Sequence, residues 1–270
     1  MKTIVHVFYG PWDTAVCKEK KTHIKQILQN LRRSDLLIYD DVRYGRYKFP
    51  FEEGDTTLNA LLQEFEKNNL SVRIDRLYTA QELLAAELLH LMITGTVGEG
   101  RDHYGTQFDW SQACRGCWTG LIQLNDLIID KTKMGKKDVA TTYTGEIVIS
   151  ERLARLIQNA QLEGYEMRPV RHRSNRLRDE PVLYQLLITH TLPPVVPLTQ
   201  MFPCSICGRS TLAAFTEICY LRQDLEQRGV KDFNQTLEPP QELIISQRAY
   251  HLFLEYKIKG FNVEIVRVLD

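Results

Sequence analysis

Two cysteine pairs, Cys114-Arg-Gly-Cys117 and Cys204-Ser-Ile-Cys207, constrain this chain more than any other feature. A Cys-x-x-Cys turn presents two thiolates to one ion, and two such turns make up a tetrahedral all-thiolate site. Gly208 follows the second pair and suits a tight turn there. A compact zinc ribbon keeps its pairs roughly 15–20 residues apart. Here Cys117 and Cys204 are separated by enough chain for a full strand–helix–strand. The pairs belong to something larger than a ribbon.

That larger frame is an internal repeat. The stretch EIVISERLARLIQNAQLEGYEMRPV, ending at Val170, matches ELIISQRAYHLFLEYKIKGFNVEIV, ending at Val266, at a constant offset of 96. Each opens with a short apolar strand, and Ser150 or Ser246 is then placed as a helix N-cap. Leu153, Leu156, Ile157 and Ala160 recur at helical spacing, as do Ala249, Leu252, Phe253 and Tyr256. Gly164 and Gly260 follow the helices, where a positive φ is needed, and a strand returns in each copy. The cysteine pairs precede these units at a similar offset of 90. The repeat therefore reads as knuckle, variable excursion, strand, helix, strand, with copies at 114–170 and 204–266. A pseudo-twofold arrangement of the copies brings Cys114, Cys117, Cys204 and Cys207 to one shared Zn2+ of structural type. Two other arrangements stay open: two partial sites, each completed by His103, His172 or His190, and four unliganded thiols. Four protein ligands leave no position for water, which argues against metal-assisted hydrolysis.

Upstream, TIVHVFY reads as a buried strand and KKTHIKQILQNLRR as an amphipathic helix. Leu36–Tyr39 is a short strand, and an aromatic loop with Tyr44, Tyr47, Phe49 and Phe51 follows. A helix at Thr57–Asn68, a strand at Ser71–Leu77 and a capped helix from Thr79 to about Ile93 complete the series. The expected architecture is α+β. An N-terminal α/β-like domain spans 1–94, a glycine-rich linker spans 95–113, and the duplicated module spans 114–270.

Lys plus Arg equals Asp plus Glu at 34 each, so the total charge draws the chain to neither nucleic acid nor anionic lipid. No stretch has the order of a signal peptide or the length of a membrane span, and the expected compartment is the cytoplasm. There, six cysteines argue for metal before disulfides. One local patch stands out. Arg168, Arg171, Arg173, Arg176 and Arg178 crowd one segment that can meet phosphates or an acidic protein, or serve as a solvated connector. Leu192–Leu198 carries three prolines and reads as a stiff linker. Asp40, Asp41, Asp126 and Asp130 are more simply surface carboxylates. No catalytic motif is present, so no catalytic residue is expected and an enzyme is not the leading reading.

The order Cys-x-x-Cys, strand, Ser-capped helix, Gly, strand, then CSICGR and IISQRAYHLFLEYKIKGFNVEIVRV, resembles the bacterial double-CXXCG motif proteins. The resemblance covers roughly residues 110–270. Trp118 stands where the family has glycine after the second cysteine. It implies zinc on Cys114, Cys117, Cys204 and Cys207 and a toxin-neutralising immunity role, exerted through a protein–protein surface. The alternative function is a nucleic-acid-binding or regulatory component of bacterial defence, using the arginine segment.

Overall fold

A computed structural model describes residues 2–8, 15–33, 40–41, 46–52, 55–68, 70–98, 104–174, 182–196, 199, 201–212 and 217–270. The protein is mixed α+β, and its chain divides into two compact units, Met1–Glu82 and Leu83–Asp270.

In the first unit, β1 (Lys2–Phe8), α1 (Ala15–Asn30), β2 (Asp40–Asp41), β3 (Arg46–Glu52), α2 (Thr57–Lys67) and β4 (Ser71–Leu77) follow one another. The sheet is antiparallel in the order β2-β3-β1-β4. Val5 and Val7 of β1 meet Ile24, Ile27, Leu28, Leu61 and Phe65 of the helices in one core. The expected aromatic loop is corrected here. Tyr47, Phe49 and Phe51 lie on β3 and are at most 1% exposed, so they fill the core and offer no surface to a partner. Their i, i+2, i+4 spacing is the strand period. Pro50 obscured it, yet proline is tolerated where a strand lacks a partner on one side. Among the described residues β2 pairs with Tyr47 and Arg46 alone. Tyr44 and the expected strand at Leu36–Tyr39 lie outside the described residues.

A second correction concerns the helix expected to run to Ile93. Its capping box forms: Glu82 Oε2 accepts from Thr79 N at 2.7 Å, and Thr79 Oγ1 accepts from Glu82 N at 3.2 Å. The helix, α3 (Ala80–Ala85), then stops, and Leu88–Ile93 is a strand, β5. The division therefore falls at Glu82 and not at residue 94. Nor are residues 95–113 a solvated linker throughout, since Val97 and Thr106 are each 1% exposed.

After β5 the second unit continues with β6 (Phe108–Asp109), β7 (Ile122–Gln123), β8 (Ile128–Ile129), β9 (Val139–Thr141), β10 (Ile147–Ser150), α4 (Glu151–Asn159), β11 (Tyr165–Pro169) and β12 (Arg171–His172). Then come β13 (Leu183–Ile188), β14 (Met201–Pro203), β15 (Ser210–Leu212), β16 (Cys219–Leu221), α5 (Arg222–Arg228), β17 (Phe233–Gln235), β18 (Leu243–Ser246), α6 (Gln247–Glu255) and β19 (Phe261–Leu269). Two sheets carry the unit, in the orders β11-β13-β10-β9 and β16-β19-β5-β18-β17. Helices α4 and α6 share one core: Leu153, Ile157, Leu252 and Phe253 pack with Leu89, Leu91, Leu186 and Ile245. The segment expected as a proline linker joins a second core through Leu192 and Val195. Residues 197 and 198 lie outside the described residues.

The four strands of the first sheet match four of the five in the second, β16 being the extra one. β10 corresponds to β18, α4 to α6, and β11 to β19. Ser150 and Ser246 cap their helices, accepting from Leu153 N and Ala249 N. In one sheet the strand between β10 and β11 is β13; in the other, the strand between β18 and β19 is β5. The registers agree as well: Tyr165 faces Ile188, and Phe261 faces Ile93. β5 precedes the first cysteine pair and pairs with the elements that come after the second. β13 precedes the second pair and pairs with the elements that come after the first. Each sheet thus takes its middle strand from the other half of the unit.

Polar clasps repeat across the same joint. Asp138 accepts from Ser150 Oγ at 3.1 Å, Arg152 Nη2 at 2.7 Å and Lys259 N at 3.0 Å. Asp232 accepts from Ser246 Oγ at 2.7 Å, Arg248 Nη1 at 3.1 Å and Glu163 N at 2.9 Å. Arg152 Nη1 also donates to Tyr256 O, as Arg248 Nη2 does to Ala160 O. Each aspartate closes its own helix cap and holds a loop of the other half. Gly164 and Gly260 sit at this joint with φ of +94° and +109°. A Cβ would lie 2.0 Å from Phe233 O or 2.1 Å from Val139 O.

Candidate metal centre

Each cysteine pair sits where an antiparallel ribbon turns. The first lies between β6 and β7, where Phe108 faces Gln123. The second lies between β14 and β15, where Met201 faces Leu212. The turns are built alike. Cys114 N donates to Thr119 O at 3.0 Å and Trp118 N to Cys114 O at 2.8 Å. Cys204 N donates to Arg209 O and Gly208 N to Cys204 O, both at 2.8 Å. Trp118 takes φ +60°, close to the +72° of Gly208, so the tryptophan completes the turn that glycine completes in the other knuckle. Arg115 lies over the Trp110 ring at 4.2 Å and covers the first knuckle's flank.

The two turns bring all four sulfurs together. Cys114 Sγ lies 3.8 Å from Cys204 Sγ, and Cys117 Sγ lies 3.7 Å from Cys207 Sγ. All four lie within 4.8 Å of one another, close enough to hold one metal ion. Gly116 is the residue that sequence reasoning missed. A Cβ there would stand 2.9 Å from Cys204 Sγ and 3.2 Å from Ile206 Cδ1. The signal was the glycine inside the first pair, which has no counterpart in the second.

The electrostatics of the cluster are those of thiols that cannot all ionise alone. The Thr119 hydroxyl, 3.3 Å from Cys117 Sγ, is the largest of the contacts that bring that thiol down to about 6. Backbone N–H groups of Cys207 and Ile206 lower Cys204. Cys207 feels the backbone of Arg209 pulling down, but the Cys114 thiol, the loss of water and the Cys117 and Cys204 thiols together push it up to about 11. A cation at the centre removes that conflict, because thiolates are the form a metal takes.

No histidine among the described residues joins the group. His172 Nδ1 accepts from Lys131 N at 3.2 Å, and His190 Nε2 faces Gly229 O at 3.0 Å. His103 lies outside the described residues. The arginine segment is scattered along β11, β12 and the stretch just beyond β12, and its described members face carboxylates. Arg168 lies 3.9 Å from Glu166, Arg171 lies 2.8 Å from Asp126, and Arg173 lies 3.2 Å from Asp130 and over the Tyr104 ring. Arg176 and Arg178 lie outside the described residues. Asp126 and Asp130 are thus ion-pair partners.

Two adjoining hollows of about 460 Å³ and 570 Å³ run along the sheets, the larger of them beside the first knuckle. They share Gly145, Ile147, Pro240 and Glu242, and Cys117 and Trp118 wall the larger one. Among the described residues no helix is long and apolar enough to cross a membrane. Neither a comparison with models of protein families nor one with curated proteins finds a match to this sequence.

Proposed function

We propose that this chain is a zinc-stapled protein-binding module with no catalytic centre of its own, and that it acts as an immunity protein that neutralises a bacterial toxin by covering it. The carrying observation is the spacing of the sulfurs. A Zn–S bond of about 2.3 Å sets the edge of a tetrahedral ZnS4 group at about 3.8 Å. Two of the six sulfur–sulfur edges are 3.8 and 3.7 Å, and all of them are within 4.8 Å. Four thiolates fill the coordination sphere, so the zinc would act as a fastener. It would join two copies of one unit: middle strand, knuckle, two strands, helix, strand. The exchange of β5 and β13 and the reciprocal aspartate clasps support that duplication.

The resemblance to double-CXXCG motif proteins supplies the immunity reading, and the groove beside the first knuckle supplies a surface for it. The described arginines support a nucleic-acid interface less well, since each faces a carboxylate of this same chain. The test is co-expression with the product of the neighbouring gene. That product should stop growth alone and be harmless beside this chain, and Cys204→Ser should remove the protection. A toxic neighbour that this chain leaves toxic would count against the immunity role.

A further inference from the structure

The two joints of the duplicated unit share a backbone and differ in charge. At the first, Lys137 and Asp138 lead into β9, and Asp138 N and Val139 N both donate to Lys259 O, at 2.9 and 3.1 Å. At the second, Lys231 and Asp232 lead into β17, and Phe233 N donates to Glu163 O at 2.9 Å. Lys257 and Gln161, two residues before Lys259 and Glu163, take φ of +50° and +51°. The side chains break the match. Lys231 Nζ meets Glu163 Oε2 at 2.5 Å, so the second joint closes its own ion pair. Lys137 and Lys259 hold those two places at the first joint, and like charges cannot pair.

The divergence runs along both stretches. Residues 131–137 and 257–259 carry Lys133, Lys136, Lys137, Lys257 and Lys259 besides the buried Lys131, and no acid. The matching residues 225–231 and 161–163 set Glu226 and Glu163 against Arg228 and Lys231. Lys133, Lys136, Lys257 and Lys259 are exposed. Lys137 is half-buried, and its Nζ donates to Lys133 O at 2.9 Å. Asp138, which lies between the two stretches, is taken by Arg152, and Glu255 at the end of α6 is outnumbered. Among the described residues no carboxylate pairs with any of these five lysines. The backbone bonds hold the like charges together, and an anionic surface brought against them relieves the repulsion.

Leu254 and Tyr256 are exposed beside Lys257, so the patch sets apolar area within a charged rim, as protein interfaces do. A nucleic-acid binder carries a broad basic face and an excess of positive charge, whereas here Lys plus Arg equals Asp plus Glu. β9 runs from this joint at Val139 to the smaller hollow at Thr141, a distance of about 7 Å, so one partner can reach both.

We propose that the lysine joint is an interaction surface for a carboxylate-rich face of the protein partner. This rests on the reading of the chain as a protein-binding module and adds the charge of what it binds.

The probe is a fluorescein-labelled peptide, Glu-Leu-Glu-Tyr-Glu-Leu-Glu, beside the same peptide with glutamine at every glutamate and a labelled short DNA duplex. Anisotropy titrations on the full chain at low salt should give at least about tenfold tighter binding for the glutamate peptide than for the glutamine one, weakening as salt is raised. Lys133→Gln, Lys136→Gln, Lys257→Gln and Lys259→Gln together should bring it to the glutamine level, while Lys231→Gln at the matched joint should not weaken it. Carbodiimide coupling of the bound glutamate peptide should mark Lys257 or Lys259 and spare Lys231, a readout that needs no variant to fold. Equal affinity for the two peptides, no binding of either, unchanged binding by the fourfold variant, or coupling elsewhere would each overturn the proposal. Tighter binding of the duplex through the same lysines would give the surface to nucleic acid and overturn it too. Failure of toxin neutralisation with glutamate-selective binding intact would remove the immunity role and leave this surface standing.

Discussion

Replacing Gly260 by alanine probes the joint between the two halves of the second unit. Gly260 has φ +109°, and its new Cβ would meet Val139 O at 2.1 Å and Val139 C at 3.2 Å. An L-residue on that side of the backbone map costs about 1–2 kcal/mol on its own. The clash is with backbone, so no side chain can swing away. Separating the strands to relieve it weakens Asp138 N to Lys259 O at 2.9 Å, Val139 N to Lys259 O at 3.1 Å and Thr94 N to Gly260 O at 2.8 Å. At about 1 kcal/mol for each bond, the total loss is about 3–5 kcal/mol. Gly135→Ala is the internal control. Its φ is +57°, but nothing lies within 4 Å of the added Cβ, so only the first cost of about 1 kcal/mol applies. Hydrogen exchange of the β5 and β18 amides in urea reports this unit separately from the first. A Gly260→Ala loss no larger than that of Gly135→Ala would refute the reasoning.

Asp138→Ala should destabilise the same unit by about 2–3 kcal/mol, because it strips Ser150, Arg152 and Lys259 N of one acceptor. Arg155→Ala, from an exposed pair with Glu151, should cost under about 0.5 kcal/mol in the same urea titration; equal losses would contradict the clasp. Tyr220→Phe should be neutral or stabilising by up to about 1 kcal/mol, since the buried hydroxyl has no hydrogen-bond partner among the described residues; a clear loss of thermal stability would show otherwise. In the first unit the Thr57 hydroxyl, Arg33 and the Thr57 backbone N–H hold the Asp55 carboxyl down at about 2, against an ordinary 3.8. The folded pKa is the lower one, so the contribution is complete above about pH 4 and is lost as the pH falls towards 2. It should be about 1 kcal/mol, as for a helix cap, and Asp55→Ala should flatten that part of the acid unfolding profile of β1 and β4 amides; an unchanged profile would exclude it.

What the sequence made legible was local. The caps at Ser150 and Ser246, the faces of α4 and α6, and the turns at the cysteines each depend on residues a few places apart. β5 was not legible, because Leu88–Ile93 is apolar on both faces and reads equally as helix. Only its two partners, β18 and β19, more than 150 residues on, make it a strand. Its likeness to β13 rests on six positions, LLHLMI against LYQLLI, too short a match to move the start of the repeat back from the cysteines. The aspartate clasp escaped for a related reason. Asp138 and Asp232 lie 12 and 14 residues before their serines, so the constant offset breaks where the clasp begins. For the cysteines, the sequence left open three arrangements, and the meeting of the two ribbons is what places all four sulfurs together.

X-ray absorption at the zinc edge of the purified chain tests the central claim most directly. The account predicts one zinc per chain with four sulfur neighbours at about 2.3 Å, and loss of that shell in Cys204→Ser. Nitrogen or oxygen in the first shell, or full zinc retained by Cys204→Ser, would contradict it.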